Sequence, residues 1–122
     1  MTTIAIERSR TWVSVLWVLQ IVSAAMFLMA GVSKLAGVPA MVQLFGLIGL
    51  GQWFRYLTGT IEVVSAVLLL IPSVAAYAAA LLAVTMVGAI LTHLLIAGGS
   101  PAVAIGLLAA TTTLAWARRS GR

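Results

Sequence analysis

Residues 53–97 read WFRYLTGTIEVVSAVLLLIPSVAAYAAALLAVTMVGAILTHLLIA, and this stretch decides the fold. It holds two apolar runs, Trp53–Ile71 and Val74–Ala97, parted only by Pro72 and Ser73. A helix of about 20 apolar residues crosses roughly 30 Å of hydrocarbon. Each run is therefore long enough to span a membrane, and the two-residue link makes the runs antiparallel neighbours. Outward from this pair, Thr11–Ser33 is a third apolar run, broken only by Gln20 and small polar residues. Pro101–Ala117 is a fourth, bounded by Arg118 and Arg119. Gly98-Gly99-Ser100-Pro101 is the tight link before it, with Pro101 placed to open a helix. The expected fold is an all-α integral membrane protein: an antiparallel four-transmembrane-helix bundle, one domain over residues 1–122.

Composition agrees. The chain is 63% hydrophobic and 7% charged, whereas soluble domains are commonly about 25% charged. That excludes an ordinary soluble fold and a disordered chain. The net charge of +5 does not argue for nucleic acid, because the bases sit at chain ends and not along one exposed face. There are no cysteines and one histidine, which excludes disulfides, thiol redox chemistry and a zinc site. No nucleotide-binding glycine motif is present, and no metal or cofactor is implied. A cleaved leader is not expected: the first apolar run exceeds the 7–15 residues of a signal core, and no small-x-small site closes it.

Orientation follows from the bases. Four spans put both termini and the Pro72-Ser73 turn on one side, which then carries Arg8, Arg10, Arg118, Arg119 and Arg122; the other carries Lys34 and Arg55. The expectation is a multi-pass cell-membrane protein with both termini cytoplasmic. Trp12, Trp17, Trp53 and Trp116 lie near span ends, where indole favours the interface. Between the first two spans, Leu35–Gln52 is too apolar for a solvated loop and too interrupted for a span. Pro39 opens a short interfacial helix there, carrying Met41, Val42, Leu44, Phe45 and Leu47. This segment is also placed to cover the outer mouth of the bundle.

Glu62 lies midway along the second span. An ionised carboxylate at that depth costs at least about 2.5–3.5 kcal/mol, so it should face the interior, neutral or paired. Arg55, Thr58, Gly59 and Ser65 share its face. Gln20, Ser23, Phe27, Gly31 and Lys34 form a matching stripe on the first span. Lys34 either snorkels to the interface or turns inward toward Glu62. His93 shares a broad face with Thr85, Gly88, Ala89 and Thr92; it is either a hydrogen-bonded packing residue or a proton partner. Topology puts Lys34, Arg55, Glu62 and His93 in the outer half of the bundle. The candidate site thus has Glu62 and His93 as catalytic groups, with Lys34, Arg55, Gln20, Thr58 and Thr92 in a ligand-binding or charge network. The competing reading is an ion-pair network that fixes helix register.

Three patterns resemble the DoxX-like family of small four-span membrane proteins: Ala30-Gly31-Val32-Ser33-Lys34-Leu35 at the end of the first helix, Gly59-Thr60-Ile61-Glu62 in the second, and Gly88-Ala89-Ile90-Leu91-Thr92-His93-Leu94 in the third. The resemblance covers about residues 14–117. Gly51 departs from it, standing where relatives often have proline. The resemblance implies the four-span fold and, more broadly, association with quinone-linked redox systems, cargo reception or membrane chaperoning.

Two functions are expected to compete. In one, the bundle binds a small apolar molecule, such as a quinone or isoprenoid, in its outer half, with acid–base chemistry of isomerase, epoxide-opening or cyclase type at Glu62 and His93. In the other, the chain is a non-catalytic subunit or chaperone of a quinone-linked membrane complex. The small-residue face Gly106, Ala109, Ala110, Thr113 and Ala117 would then dock a partner or a second copy. The bilayer is the partner common to both.

Overall fold

The computed structural model describes residues 2–119, with side chains from Arg10 onward. The side chain of Arg8, and Arg122, both counted among the cytoplasmic bases, lie outside the described residues. Among these residues the chain is helical, with no strand. Helix α1 runs Thr2–Ala36. It stops at Gly37, whose φ of +72° is the left-handed conformation that glycine adopts without strain. Gly37 N–H donates to the Lys34 carbonyl and Val38 N–H to that of Ser33, the paired bonds of a Schellman stop. Pro39 then opens α2, Pro39–Ile48, which ends on Gly49 at φ +82°. This short helix coincides with the one read from Pro39 in the sequence.

Helix α3 is Trp53–Leu68 and α4 is Ala75–Thr92. A π-helical turn, His93–Ala97, prolongs α4. Helix α5 is Ala102–Ala117, directly after Pro101. Among the described residues two segments are long and apolar enough to cross a membrane, Arg10–Ala36 and Ala75–Ala97. Helices α3 and α5 have 16 residues each, and α3 carries Arg55 and Glu62.

Helix α1 packs closely along α3, and α4 along α5; lighter α3–α4 and α1–α5 contacts join the two pairs. The α1–α3 pair is antiparallel, because Gln20 meets Leu69, Gly31 meets Gly59 and Lys34 meets Arg55. Its closest point is glycine against glycine. A Cβ at Gly31 would lie 2.7 Å from Val63 Cγ2 and 2.8 Å from the Gly59 carbonyl oxygen. A Cβ at Gly59 would lie 3.0 Å from the Gly31 carbonyl oxygen. No side chain fits there, so both positions require glycine. Around the 69–74 turn the buried residues Ala66, Leu69, Ala75, Ala78, Ala79 and Leu82 fill the space between α3 and α4. Alanine lets helix backbones come close. Most large exposed side chains are Val, Leu and Ile, an outer surface made for hydrocarbon and not for water.

Candidate functional site

The glycine contact places the chain's central ion pair. In a helix every Cα–Cβ bond tilts toward the N-terminus. Lys34 lies one turn beyond Gly31 on α1, and Glu62 one turn beyond Gly59 on α3. Because the helices run in opposite directions, both side chains lean back toward the glycine crossing and converge. Lys34 Nζ stands 2.7 Å from Glu62 Oε1. Glu62 is 1% exposed and the lysine side chain 14%. Lys34 therefore turns inward and does not snorkel. A carboxylate this deeply buried requires such a partner.

The pair lies on the wall of a cavity of about 580 Å³, within the range of small-molecule sites. All five helices contribute. Phe27 and Ala30 come from α1, Leu57 and Ile61 from α3, Met86 and Gly88 from α4, and Ala104 and Leu107 from α5; α2 lays Met41, Leu44, Phe45 and Ile48 across it. The polar groups on this apolar wall are Lys34, Glu62, Thr58, Thr85, Thr92 and His93. Thr58, Thr85 and Thr92 donate their hydroxyl hydrogens to the carbonyls of Phe54, Leu81 and Gly88, one turn back in their own helices. Each threonine oxygen therefore remains an acceptor.

His93 begins the π turn. Its Nδ1 lies 2.9 Å from the Gly98 carbonyl oxygen. A carbonyl only accepts, so Nδ1 carries the hydrogen, and in the neutral ring Nε2 is then an acceptor. The Gly98 N–H in turn donates to the His93 carbonyl. No residue pattern marks this turn, although π turns recur at functional sites.

Two of the residues grouped with the site in the sequence lie elsewhere. Arg55 shares a helix face with Glu62, but its guanidinium reaches the other way. Nη1 donates to the Lys34 carbonyl at the end of α1, and Nε donates to Gln52 Oε1 at 2.8 Å. Gln52 Nε2 donates to the Val42 carbonyl in α2 at 3.1 Å. A helix C-terminus leaves carbonyls open and carries partial negative charge, so a nearby arginine is drawn to it. Arg55 thus fastens the end of α1 to the start of α3, and Gln52, which it holds, ties in Val42 of α2.

Gln20 lies at the opposite end and is fully buried. Its Nε2 donates to the Leu69 carbonyl at 2.8 Å, and its Oε1 accepts from Arg118 Nε at 2.8 Å. Arg118 also lies over the Trp17 ring, 5.5 Å from its centroid. This second polar cluster joins α1, the end of α3 and the end of α5. Sequence reasoning had Arg118 only as a flanking base; a partner 98 positions away leaves no periodic signal.

The arrangement offers a hydrogen-bond donor, Lys34, and a carboxylate, Glu62, side by side on an apolar wall. Threonine oxygens and an imidazole lie on the same wall. Such a site suits a molecule with an apolar body and a polar oxygen-bearing head. Among the described residues no cluster of three or more metal-ligating side chains occurs.

The DoxX-like family matches residues 18–117. Over 74 residues the chain is 32% identical to a protein of Bacillus subtilis (strain 168) named "Putative oxidoreductase CatD". That match covers 61% of this chain and 55% of the relative, so the chain spans about half of the relative's length. No solved structure matches the chain.

Proposed function

The chain belongs to the DoxX-like family, and we propose that it is a four-span membrane protein binding a lipid-soluble molecule with an oxygen-bearing head, of quinone type, in the cavity beneath α2. The observation that carries this reading is the 2.7 Å Lys34–Glu62 pair on an otherwise apolar cavity wall. A charge-assisted donor is roughly twice as strong as a neutral one. Lys34 Nζ donates to the head-group oxygen while Glu62 balances the ammonium. Glu62 is then positioned to exchange a proton with the head, and His93 Nε2 is a second proton acceptor on the same wall. The name of the Bacillus relative favours a quinone over an isoprenoid, since quinones are the redox molecules dissolved in bilayers.

The membrane reading is supported by the two long apolar helices and the hydrocarbon-like outer surface. Four spans with cytoplasmic termini agree with the distribution of the bases. In that orientation the cavity occupies the outer half of the bundle, with α2 at the interface.

The test uses protein purified in lipid nanodiscs and extracted with organic solvent. A stoichiometric apolar molecule is expected in the extract. Decylubiquinone should bind the emptied protein, and Glu62→Gln should weaken that binding about tenfold, or about 1.4 kcal/mol. A second reading, a non-catalytic subunit, is favoured by α5: Gly106 and Ala109 are exposed, and a Cβ at Gly106 would meet nothing within 4 Å. An empty extract, no decylubiquinone binding and a co-purifying membrane protein would together overturn the first reading in favour of this one.

A further inference from the structure

The walls of the cavity differ in how firmly they close. At the α2 end, three ties shut it. Phe45 and Phe54 meet edge to face with centroids 5.8 Å apart. Gln52 holds the Val42 carbonyl, and Arg55 holds the end of α1. At the 69–74 end, α3 and α4 are sealed by buried alanine and leucine. Helix α1 is locked to α3 by the Gly31–Gly59 contact, and α4 packs closely on α5.

Between these seals, α3 and α4 are less closely joined than either is to its other main neighbour. Here the cavity is lined by residues that are also exposed: Leu57 on α3, 45% exposed, and Val84 and Gly88 on α4, Val84 being 69% exposed. All three are apolar. Counting back from the 69–74 turn, Leu57 and Gly88 fall at similar depth on the two antiparallel helices. Between α3 and α4 the cavity therefore reaches the surface through hydrocarbon-like residues, part-way along the helices; its other exposed lining residue, Val103 at the start of α5, is apolar as well.

Gly88 is unusual at such a place. Glycine within a helix costs about 0.8–1.0 kcal/mol relative to alanine. At Gly31 and Gly59 close packing requires it. At Gly88 a Cβ would meet nothing within 4 Å, so neither packing nor a positive φ demands glycine. What the missing side chain leaves is room on the cavity wall, at a depth similar to that of Leu57.

We propose that the cavity fills sideways from the hydrocarbon layer, through an opening between α3 and α4 whose width is set by Gly88. It therefore takes molecules already dissolved in the bilayer, and an acyl or isoprenoid tail lies in the opening while the polar head reaches Lys34 and Glu62. This inference rests on the membrane reading and on the same cavity, but not on the identity of the head group.

The absence of cysteine makes the experiment direct. A bimane fluorophore is attached at Thr58→Cys, on the cavity wall, in protein reconstituted into phosphatidylcholine vesicles. Phosphatidylcholine with 6,7-dibrominated acyl chains is the quencher from the bilayer, and iodide the quencher from water. Quenching by the brominated chains should exceed that by iodide at least fivefold. Gly88→Leu should at least halve the bromine quenching and leave that of a bimane at the lipid-facing Val64→Cys unchanged. Val84→Phe should act in the same direction, and serves if Gly88→Leu fails to fold. Strong iodide quenching with little from the acyl chains would overturn the proposal, placing the opening under α2. So would bromine quenching that is indifferent to both substitutions in folded protein. A protein that fails to bind decylubiquinone yet passes this test loses the quinone reading and keeps the lateral opening.

Discussion

The Gly31–Gly59 crossing can be tested by adding one carbon atom. In Gly31→Ala the new Cβ would stand 2.7 Å from Val63 Cγ2, 2.8 Å from the Gly59 carbonyl oxygen and 3.0 Å from the Val63 nitrogen. Ordinary contacts begin near 3.4 Å. The valine methyl can rotate away, but the carbonyl belongs to the α3 backbone and moves only with the helix. The two helices must then separate by about 0.6 Å. Overpacking of this kind typically costs 1–3 kcal/mol. Alanine returns about 0.8–1.0 kcal/mol of helix propensity, so a net loss of roughly 0–2 kcal/mol is expected, which is about 1–3 kcal/mol worse than an unhindered glycine-to-alanine change. Unfolding by dodecyl sulfate in mixed micelles, followed by tryptophan fluorescence, measures it. Gly106→Ala is the matched control: its Cβ meets nothing within 4 Å, so only the propensity gain remains and the variant should be unchanged or more stable. Gly59→Ala should cost about as much as Gly31→Ala, and the double variant less than the sum, because one separation relieves both contacts. Gly31→Ala as stable as Gly106→Ala would refute the backbone-contact argument.

Three further outcomes follow from the polar groups and the termini. Lys34→Met and Glu62→Leu should each lose about 3–5 kcal/mol in the same titration, since each strands the other charge, while the double variant recovers most of that loss; a Glu62→Leu protein of undiminished stability would remove the ion-pair role. Gln20→Leu removes a donor from the Leu69 carbonyl and an acceptor from Arg118, and should cost about 1–3 kcal/mol, without altering decylubiquinone affinity in the folded fraction; a change of tenfold in that affinity would tie the far cluster to the cavity. A reporter fused to the C-terminus should be active only in the cytoplasm and one inserted at Gly98 only outside; both on one side would eliminate four spans.

Much of this geometry follows from spacing that is visible in the chain. Gln20, Ser23, Phe27 and Gly31 share one stripe at helical period, and all four are buried. Pro39 marks the start of α2, and the glycine that ends α1 stands two residues before it. Periodicity identifies a face but not the neighbour that the face meets. Arg55 and Gln20 illustrate the difference. Both share stripes with the ion-pair residues, yet Arg55 is claimed by the Lys34 carbonyl at the end of α1 and Gln20 by the Leu69 carbonyl at the end of α3. Those acceptors are backbone atoms, which carry no residue identity and appear only when helix ends are placed in space. The inward turn of Lys34 also depends on the antiparallel pairing, which makes two N-terminally tilted side chains converge. The π turn at His93 closes with the Gly98 N–H on the His93 carbonyl, a backbone feature that no composition marks.

The Gln20 cluster also bears on how the protein is made. A ribosome delivers α1 before α5, so Gln20 enters the membrane nearly one hundred residues before Arg118 is synthesised. During that interval its amide is a buried polar group whose final partners do not yet exist, a state that is costly in hydrocarbon. The Leu69 carbonyl becomes available once α3 folds back along α1, and Arg118 only when α5 has come to rest. Closure of this cluster therefore waits on the arrival of α5, and until then the first helix carries an amide without its final partners.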